Sequence, residues 1–293
     1  MQTAIVIGVL PREMTAGLIR RCAEKDVSHV IIPAAGFSDA GGEGRRLEEE
    51  VMAVARAAGI RVMGPNSIGT VCTSGRIATS IVTLDCMRSG SISLFGRTGM
   101  FSSGIARWID TTEYFGISKI ACLGNKADVD EKDMLSYLGE DDEAKVIGVY
   151  TEGVADGRRF AEVLGEVAAR KPVLLLKSGR TEMGQKAIAS HTGALSGSEE
   201  IYAGLVEQTG AVGVSDFEEL FDCAKAFEAQ LLPSGNSVGV VSIAGVVCVL
   251  AADSAGLFGL ELPELSAGTL ERMREALPEW APASNPADIW AGT

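Results

Sequence analysis

Only two of the 293 residues are histidines, His29 and His191. His191 stands in KSGRTEMGQKAIASHTGAL (177–195), which carries Lys177, Arg180 and Lys186 against one acid, Glu182. That is a local charge of 3 − 1 = +2 in a chain whose formal charge is −13. Ser190, Thr192 and Gly193 are small neighbours that leave the imidazole accessible. An accessible imidazole on a basic, glycine-bearing loop after a strand suits nucleophilic attack on phosphorus. The plain alternative is a surface or capping histidine without a role. The length of the loop, unusual in a compact domain, weighs against that alternative.

A phosphorylated imidazole needs a carboxylate to orient the ring and support its cationic character. Glu152 fits, because VIGVY (146–150) reads as a strand and Thr151-Glu152-Gly153 follows at its carboxyl end. Position alone equally allows Glu152 to be a helix-dipole carboxylate for the next helix. A phosphate also wants a helix N-terminus with backbone N–H groups turned toward it. The stretch Gly96-Arg97-Thr98-Gly99-Met100, between a predicted strand and a predicted helix, offers one, with Arg97 and the Thr98 hydroxyl as further donors. As a strand–glycine–helix turn it needs no ligand.

Two other motifs mislead. Asn125-Lys126-Ala127-Asp128 spells NKxD, and GRTEMGQK (179–186) follows a strand as a P-loop would. A working P-loop needs Gly-Lys-Ser/Thr in register. Here Gln185 takes the lysine place, Ala187 supplies no hydroxyl, and the two motifs come in the wrong order for a GTPase.

The elements that must position these residues alternate strand and helix along the chain. Strands are predicted over 3–10, 28–33 and 61–63, with helices over 12–24 and 47–58, so 1–75 reads as one βαβαβ half of a Rossmann-type sheet. A second, flavodoxin-like doubly wound set has strands over 91–95, 117–123, 145–150 and 172–177. Its helices are expected over 101–113, 131–139, 156–169, 198–208 and 216–229, with a long loop from 177 to about 196. Parallel strands with right-handed crossovers follow from this rhythm. Residues 231–236 read as a linker, and a third α/β unit opens with a strand over 237–243 and a helix over 246–255.

Composition sets the outer limits. At 46% hydrophobic and 22% charged residues the chain is globular rather than disordered. The acidic balance argues against a nucleic-acid binder, while leaving room for a local basic pocket. No apolar run approaches the ~20 residues of a membrane span. Six scattered cysteines without a CxxC pair suit reduced thiols in a cytoplasmic protein. With two histidines, no metal site is expected.

Together the segments GFSDAGGEG (36–44), GPNSIG (64–69), LGNKADVD (123–130), YTEGVADGRRF (150–160), KPVLLLKSGRT (171–181) and ASHTGAL (189–195) resemble the NDP-forming acyl-CoA synthetases. These are the ADP-forming acetate–CoA ligase group of the succinyl-CoA synthetase superfamily, and the resemblance runs over nearly the whole chain. It implies a partial CoA-binding Rossmann-like domain (1–75), a flavodoxin-like domain with the phosphohistidine segment (76–231) and the start of a third α/β domain (232–293). It implies that His191 carries the phosphoryl group and Glu152 stabilises it. Arg97, Thr98, Gly99 and Met100 then face phosphate, and Gly124, Asn125, Lys126 and Asp128 border the reaction centre. Coenzyme A contacts fall to Val9, Leu10, Pro11, Pro33, Ala34 and Ala35.

The chain departs from the family pattern in several places. It starts beyond the family's first strand and glycine-rich phosphate loop. The family's Ser-Gln-Ser-Gly turn is here Gly96-Arg97-Thr98-Gly99, the cysteine of GPNC is Ser67, and Asn-Ala-Gly-Gly is Ile243-Ala244-Gly245-Val246. No ATP-grasp domain is expected within these residues, so ATP/ADP and Mg²⁺ would be handled by an ATP-grasp domain or subunit, in a hetero-association. The departures leave open a second reading, a non-catalytic CoA-binding or scaffold subunit of the same fold.

Overall fold

A computed structural model describes residues 5–81, 84, 87–113, 115–192, 198–230 and 233–290, with backbone only for 189–192. The chain divides into two compact units, residues 1–230 and 231–293.

The first unit holds two sheets. In the smaller, β1 (Ile5–Ile7), β2 (His29–Ile31) and β3 (Arg61–Met63) pair in parallel in that order. Helices α1 (Thr15–Ala23) and α2 (Gly42–Ala57) cover one face, burying Ile19, Val51, Met52 and Ala55 against Val30 and Val62. The pleat sends alternate residues to opposite faces, so Ile5, Ile7 and His29 lie on the other side and are exposed.

The larger sheet takes over after Met63. Two short strands, β4 (Thr70–Cys72) and β5 (Ile77–Ala78), run antiparallel at its edge. They depart from the all-parallel expectation because only the tight turn 73–76, closed by the Arg76 N–H on the Thr73 carbonyl at 3.1 Å, joins them, too short a connection for a parallel crossover. The parallel strands are β6 (Ser89–Gly96), β7 (Ile117–Cys122), β8 (Val146–Thr151), β9 (Val173–Lys177) and β10 (Val212–Val214). Across the sheet the order is β10-β9-β8-β6-β7-β4-β5. Numbered from β6, the parallel part reads 2-1-3-4-5, the flavodoxin-like order, with its topological switch point between β6 and β8.

Both faces of this sheet are covered, which is why its strands are near-continuous apolar runs. On one face α3 (Ala106–Thr112) and α8 (Phe217–Ala229) bury Ile109, Leu220 and Phe221 against Leu94 and Ile120. On the other, α4 (Glu131–Glu140), α5 (Gly157–Ala168) and α7 (Glu199–Thr209) bury Leu135, Phe160, Leu164 and Tyr202 against Phe95, Val149 and Leu175.

The long loop expected over 177–196 is helical for much of its length: α6 spans Glu182–Thr192. Thr181 caps it, its Oγ1 accepting from the Gly184 N–H at 3.1 Å and its carbonyl from the Gln185 N–H at 2.8 Å. Glutamate, methionine, glutamine, lysine and alanine then favour the helix over the two glycines that suggested a loop.

In the second unit, β11 (Val241–Ser242) pairs in parallel with β12 (Ala287–Asp288), and α9 (Gly245–Leu257) and α10 (Ala267–Ala276) lie between them in sequence. The strand expected over 237–243 is thus shortened, with Ser237 forming a separate parallel bridge to Glu261. Among the described residues no helix is long and apolar enough to cross a membrane.

Candidate active site

The carboxyl ends of β6 and β8 are neighbours, Gly96 pairing with Tyr150. The next residues, Arg97 and Glu152, are thereby brought together at the switch point. Arg97 Nη1 stands 3.9 Å from Glu152 Oε2, and both side chains are largely buried. Tyr150, two residues before Glu152 on the strand, projects to the same face. Its hydroxyl donates to Glu152 Oε1 at 3.4 Å and lies 3.0 Å from Ser178 Oγ at the end of β9. The Tyr150 ring stacks on Phe217 and meets Phe101 edge-on, which fixes where the hydroxyl points. Burial pushes its phenol up, and the Glu152 carboxylate adds to this against the Ser178 hydrogen bond.

After Arg97 the chain enters a wide π-helical turn, Phe101–Ile105, before α3. Such turns are rare and concentrate at functional sites. Thr98 Oγ1 accepts the Met100 N–H at 3.2 Å, leaving its hydroxyl proton as the part that can donate to a ligand. Gly99 packs so tightly that a Cβ there would fall 2.5 Å from the Ile68 side chain. Met100 is exposed.

The Gly124–Asp128 segment, after β7, is stitched to the smaller sheet. The N–H groups of Asn125 and Ala127 donate to the carbonyls of Pro65 and Gly64, at 2.8 and 3.2 Å. Gly124 has φ +60°, and a Cβ there would fall 2.0 Å from the Pro65 carbonyl oxygen, so no other residue fits. Asn125 Nδ2 donates to Asp39 Oδ1 at 2.8 Å and Glu48 Oε2 at 2.9 Å. Burial would raise the Asp39 carboxyl, but the hydrogen bonds from Asn125, Gly36 and Phe37 outweigh it and hold it low. Asp128 Oδ2 accepts from Arg61 Nε at 2.9 Å and the Val62 N–H at 2.7 Å. Lys126 turns the other way, toward Gly153 and Glu131.

Val9, Leu10 and Pro11 follow β1, and Pro33, Ala34 and Ala35 follow β2, so both sets lie at the carboxyl edge of the smaller sheet. Ala34 carries the Asn66 N–H on its carbonyl, and Val9 is 76% exposed. These six are apart from the Arg97–Glu152 pair in the fold, on a different sheet. His191 lies in the last turn of α6 by its backbone, and its side chain is outside the described residues.

Four further residues to which the sequence assigned no role contribute here. Tyr150 had a readable signal, the i, i+2 spacing to Glu152. Arg12, whose guanidinium donates to the Gly36 carbonyl, adds a cation just after Pro11. Ser67, fully buried, donates to the Cys122 carbonyl at 2.6 Å and ties the GPN turn to β7. Glu131, buried in the first turn of α4, had no local signal at all.

On the opposite face from Glu152, a cavity of about 210 Å³ opens between α5 and α7. Phe160, Leu175, Ile201 and Leu205 line it, with Lys177 and Thr151 at the strand ends. Burial pushes the Lys177 ammonium down. Among the described residues no cluster of three or more His, Cys, Asp or Glu side chains is placed to hold a metal ion.

Comparison with known proteins agrees with this architecture. Residues 89–227 match the family described as the succinyl-CoA ligase like flavodoxin domain. The acetate–CoA ligase (ADP-forming) II of Archaeoglobus fulgidus is 38% identical over 288 residues, 98% of this chain and 42% of its own. The alpha subunit of acetate–CoA ligase (ADP-forming) II of Pyrococcus furiosus is 38% identical over 287 residues, 98% of this chain and 62% of its own. Among solved structures, the dinucleotide forming acetyl-coenzyme A synthetase 1 of Ca. Korarchaeum cryptofilum, in complex with phosphate and ADP, superposes with a TM-score of 0.92. It is 31% identical, and the match covers 98% of this chain and 61% of that one. The chain therefore spans between two fifths and about three fifths of the relatives it matches. Over nearly its whole length the chain is thus similar to part of the ADP-forming acetate–CoA ligases, and its residues 89–227 match the succinyl-CoA ligase like flavodoxin domain.

Proposed function

We propose that this chain is the histidine-bearing component of an ADP-forming acyl-CoA synthetase. It interconverts acyl-CoA, ADP and phosphate with a carboxylic acid, CoA and ATP, through a phosphohistidine at His191. The observation that carries this reading is the meeting of Arg97 and Glu152 at the switch point of a flavodoxin-like sheet, where open α/β folds bind their ligands.

In the synthesis direction an imidazole nitrogen of His191 attacks the γ-phosphorus of ATP, and ADP leaves. Glu152 accepts a hydrogen bond from the other ring nitrogen and balances the charge of the phosphorylated ring. Arg97 and the N–H groups of the turn after Gly96 draw the phosphoryl oxygens. The carboxylate of the acid then takes the phosphoryl group, regenerating histidine and giving an acyl phosphate. The CoA thiolate attacks its carbonyl carbon and inorganic phosphate leaves.

The division of labour follows the sequence reading. Residues 1–75 receive CoA along Val9, Leu10, Pro11, Pro33, Ala34 and Ala35, residues 76–231 carry the phosphoryl chemistry, and 232–293 contribute a further α/β unit. An ATP-grasp domain or subunit supplies the nucleotide site and its Mg²⁺, so the working enzyme is an assembly. The test is incubation with that partner and γ-labelled ATP. Label that is acid-labile and base-stable, and absent from His191→Asn, is expected. The same label persisting in His191→Asn would sink the proposal.

A further inference from the structure

Glu152 is held from its own face by Tyr150 and Arg97, but its backbone is gripped from the other face. Lys126 Nζ donates to the Gly153 carbonyl at 2.7 Å and to Glu131 Oε1 at 2.6 Å. The same Glu131 oxygen accepts from Thr151 Oγ1 at 3.1 Å, and Thr151 Oγ1 in turn accepts the Gly153 N–H at 3.2 Å. The residues on either side of Glu152 are thus both tied to one buried ion pair. Glu131 is 2% exposed, the most deeply buried carboxylate among the described residues.

The far end of this grip is equally fixed. Lys126 has φ +60°, a conformation that residues other than glycine adopt at a cost and only where neighbours impose it. The flanking N–H groups of Asn125 and Ala127, bonded to Pro65 and Gly64, impose it here. Lys126 therefore reaches from the Gly64-Pro65 turn of the smaller sheet to the turn that presents Glu152. A buried ion pair adds little net stability over an apolar pair of the same shape, so stability is a poor account of it. Its placement on Thr151 and Gly153 gives a better one.

We infer that Lys126, Glu131 and Thr151 form a latch that positions Glu152 against Arg97 and Tyr150, referred to the Gly64-Pro65 turn. None of the three touches reacting atoms; they are positioning residues. The inference rests on the proposed role of Glu152 for its effect on catalysis, though not for its geometry.

Two measurements on the full chain separate these. The first is the crystal structure of Lys126→Met and of Thr151→Val. The Glu152 carboxylate is expected to leave the Arg97–Tyr150 site in both. An unmoved Glu152 in Lys126→Met overturns the latch, whether or not the chain can be phosphorylated. The second is the rate of His191 phosphorylation and the overall kcat with the ATP-grasp partner. Thr151→Val and Glu131→Gln should lower both about ten- to a hundredfold, as small misplacements of reacting groups do, with the KM for CoA unchanged. Thr151→Ser, which keeps the hydroxyl, should stay within about twofold of wild type. Wild-type rates in Thr151→Val and Glu131→Gln, or equal losses in Thr151→Ser and Thr151→Val, overturn the latch. A wild-type chain that never forms phosphohistidine while Glu152 moves in the variants defeats the proposed function and leaves the latch standing.

Discussion

The two sheets of the first unit are built on the same parallel pattern and differ in how they are covered. In the larger sheet β6, β8 and β9 are buried on both faces: Ile92 and Leu174 on one side, and Phe95, Val149 and Leu175 on the other, reach no solvent. In the smaller sheet α1 and α2 cover one face and the other is covered only in part: Ile31 is buried and Met63 packs on the larger sheet's core, but Ile5 is 59% exposed and Val9, just beyond β1, 76%. Strands closed in on both sides cannot shift without breaking packing, so a charge pair set at their ends keeps its geometry. The larger sheet is where Arg97, Tyr150 and Glu152 are found. The smaller sheet is joined to the larger one along a seam, the segment 124–129, which bonds to Gly64, Pro65 and Val62 and pairs with Arg61, Asp39 and Glu48.

Breaking the covered sheet should have the largest effect. Phe160→Ala empties a fully buried position on α5 and is expected to cost about 3–5 kcal/mol in urea unfolding. A loss below ~1 kcal/mol would show that this face is less tightly packed than its burial indicates. Next comes the seam. Gly124→Val sets a β-branched side chain at φ +60° against the Pro65 carbonyl and should cost ~3 kcal/mol or more, lowering the Tm by several degrees. If it unfolds as wild type does, the seam is not a rigid joint.

An ion pair on the larger sheet gives a smaller, pH-dependent effect. Lys119 of β7 stands 2.6 Å from Asp141 Oδ2 and 2.7 Å from Glu143 Oε2. Burial pulls its ammonium down, but the hydrogen bonds to Asp141 and Glu143 outweigh this and hold it above its ordinary range. A raised folded value means stability that is complete below the unfolded lysine value near ~10.4 and lost as pH climbs through the folded value. Lys119→Met should therefore cost about 1–2 kcal/mol at neutral pH, a difference that shrinks in strong alkali. A difference that grows with pH would contradict the assignment. The smallest effect belongs to the open sheet, where Val9→Ser should change stability by less than ~0.5 kcal/mol.

Much of the larger sheet was legible because β6, β8 and β9 are apolar runs between glycine turns. Their alternation with helices pointed to the flavodoxin-like class, and the 2-1-3-4-5 order observed is that of this class. The antiparallel β4 and β5 were invisible, being too short and mixed in character to show a period. Gly179 and Gly184 made α6 look like a loop, although Thr181 and the residues after it favour a helix. Glu152 was readable from its place at a strand end, and Arg97 from the turn beside it, but their contact depends on β6 and β8 being neighbours. Glu131 reads as an ordinary acid in a helix's first turn. Only the fold reveals that it faces inward and meets Lys126 and Thr151.

In the proposed mechanism the Arg97–Glu152 crevice serves a phosphohistidine. The decisive measurement is ³¹P NMR of the chain after incubation with ATP and the proposed ATP-grasp partner. A phosphohistidine resonance should appear in the wild type, vanish in His191→Asn, and decay at least about tenfold faster in Glu152→Gln. An equally strong resonance in His191→Asn, or an unchanged lifetime in Glu152→Gln, would contradict it.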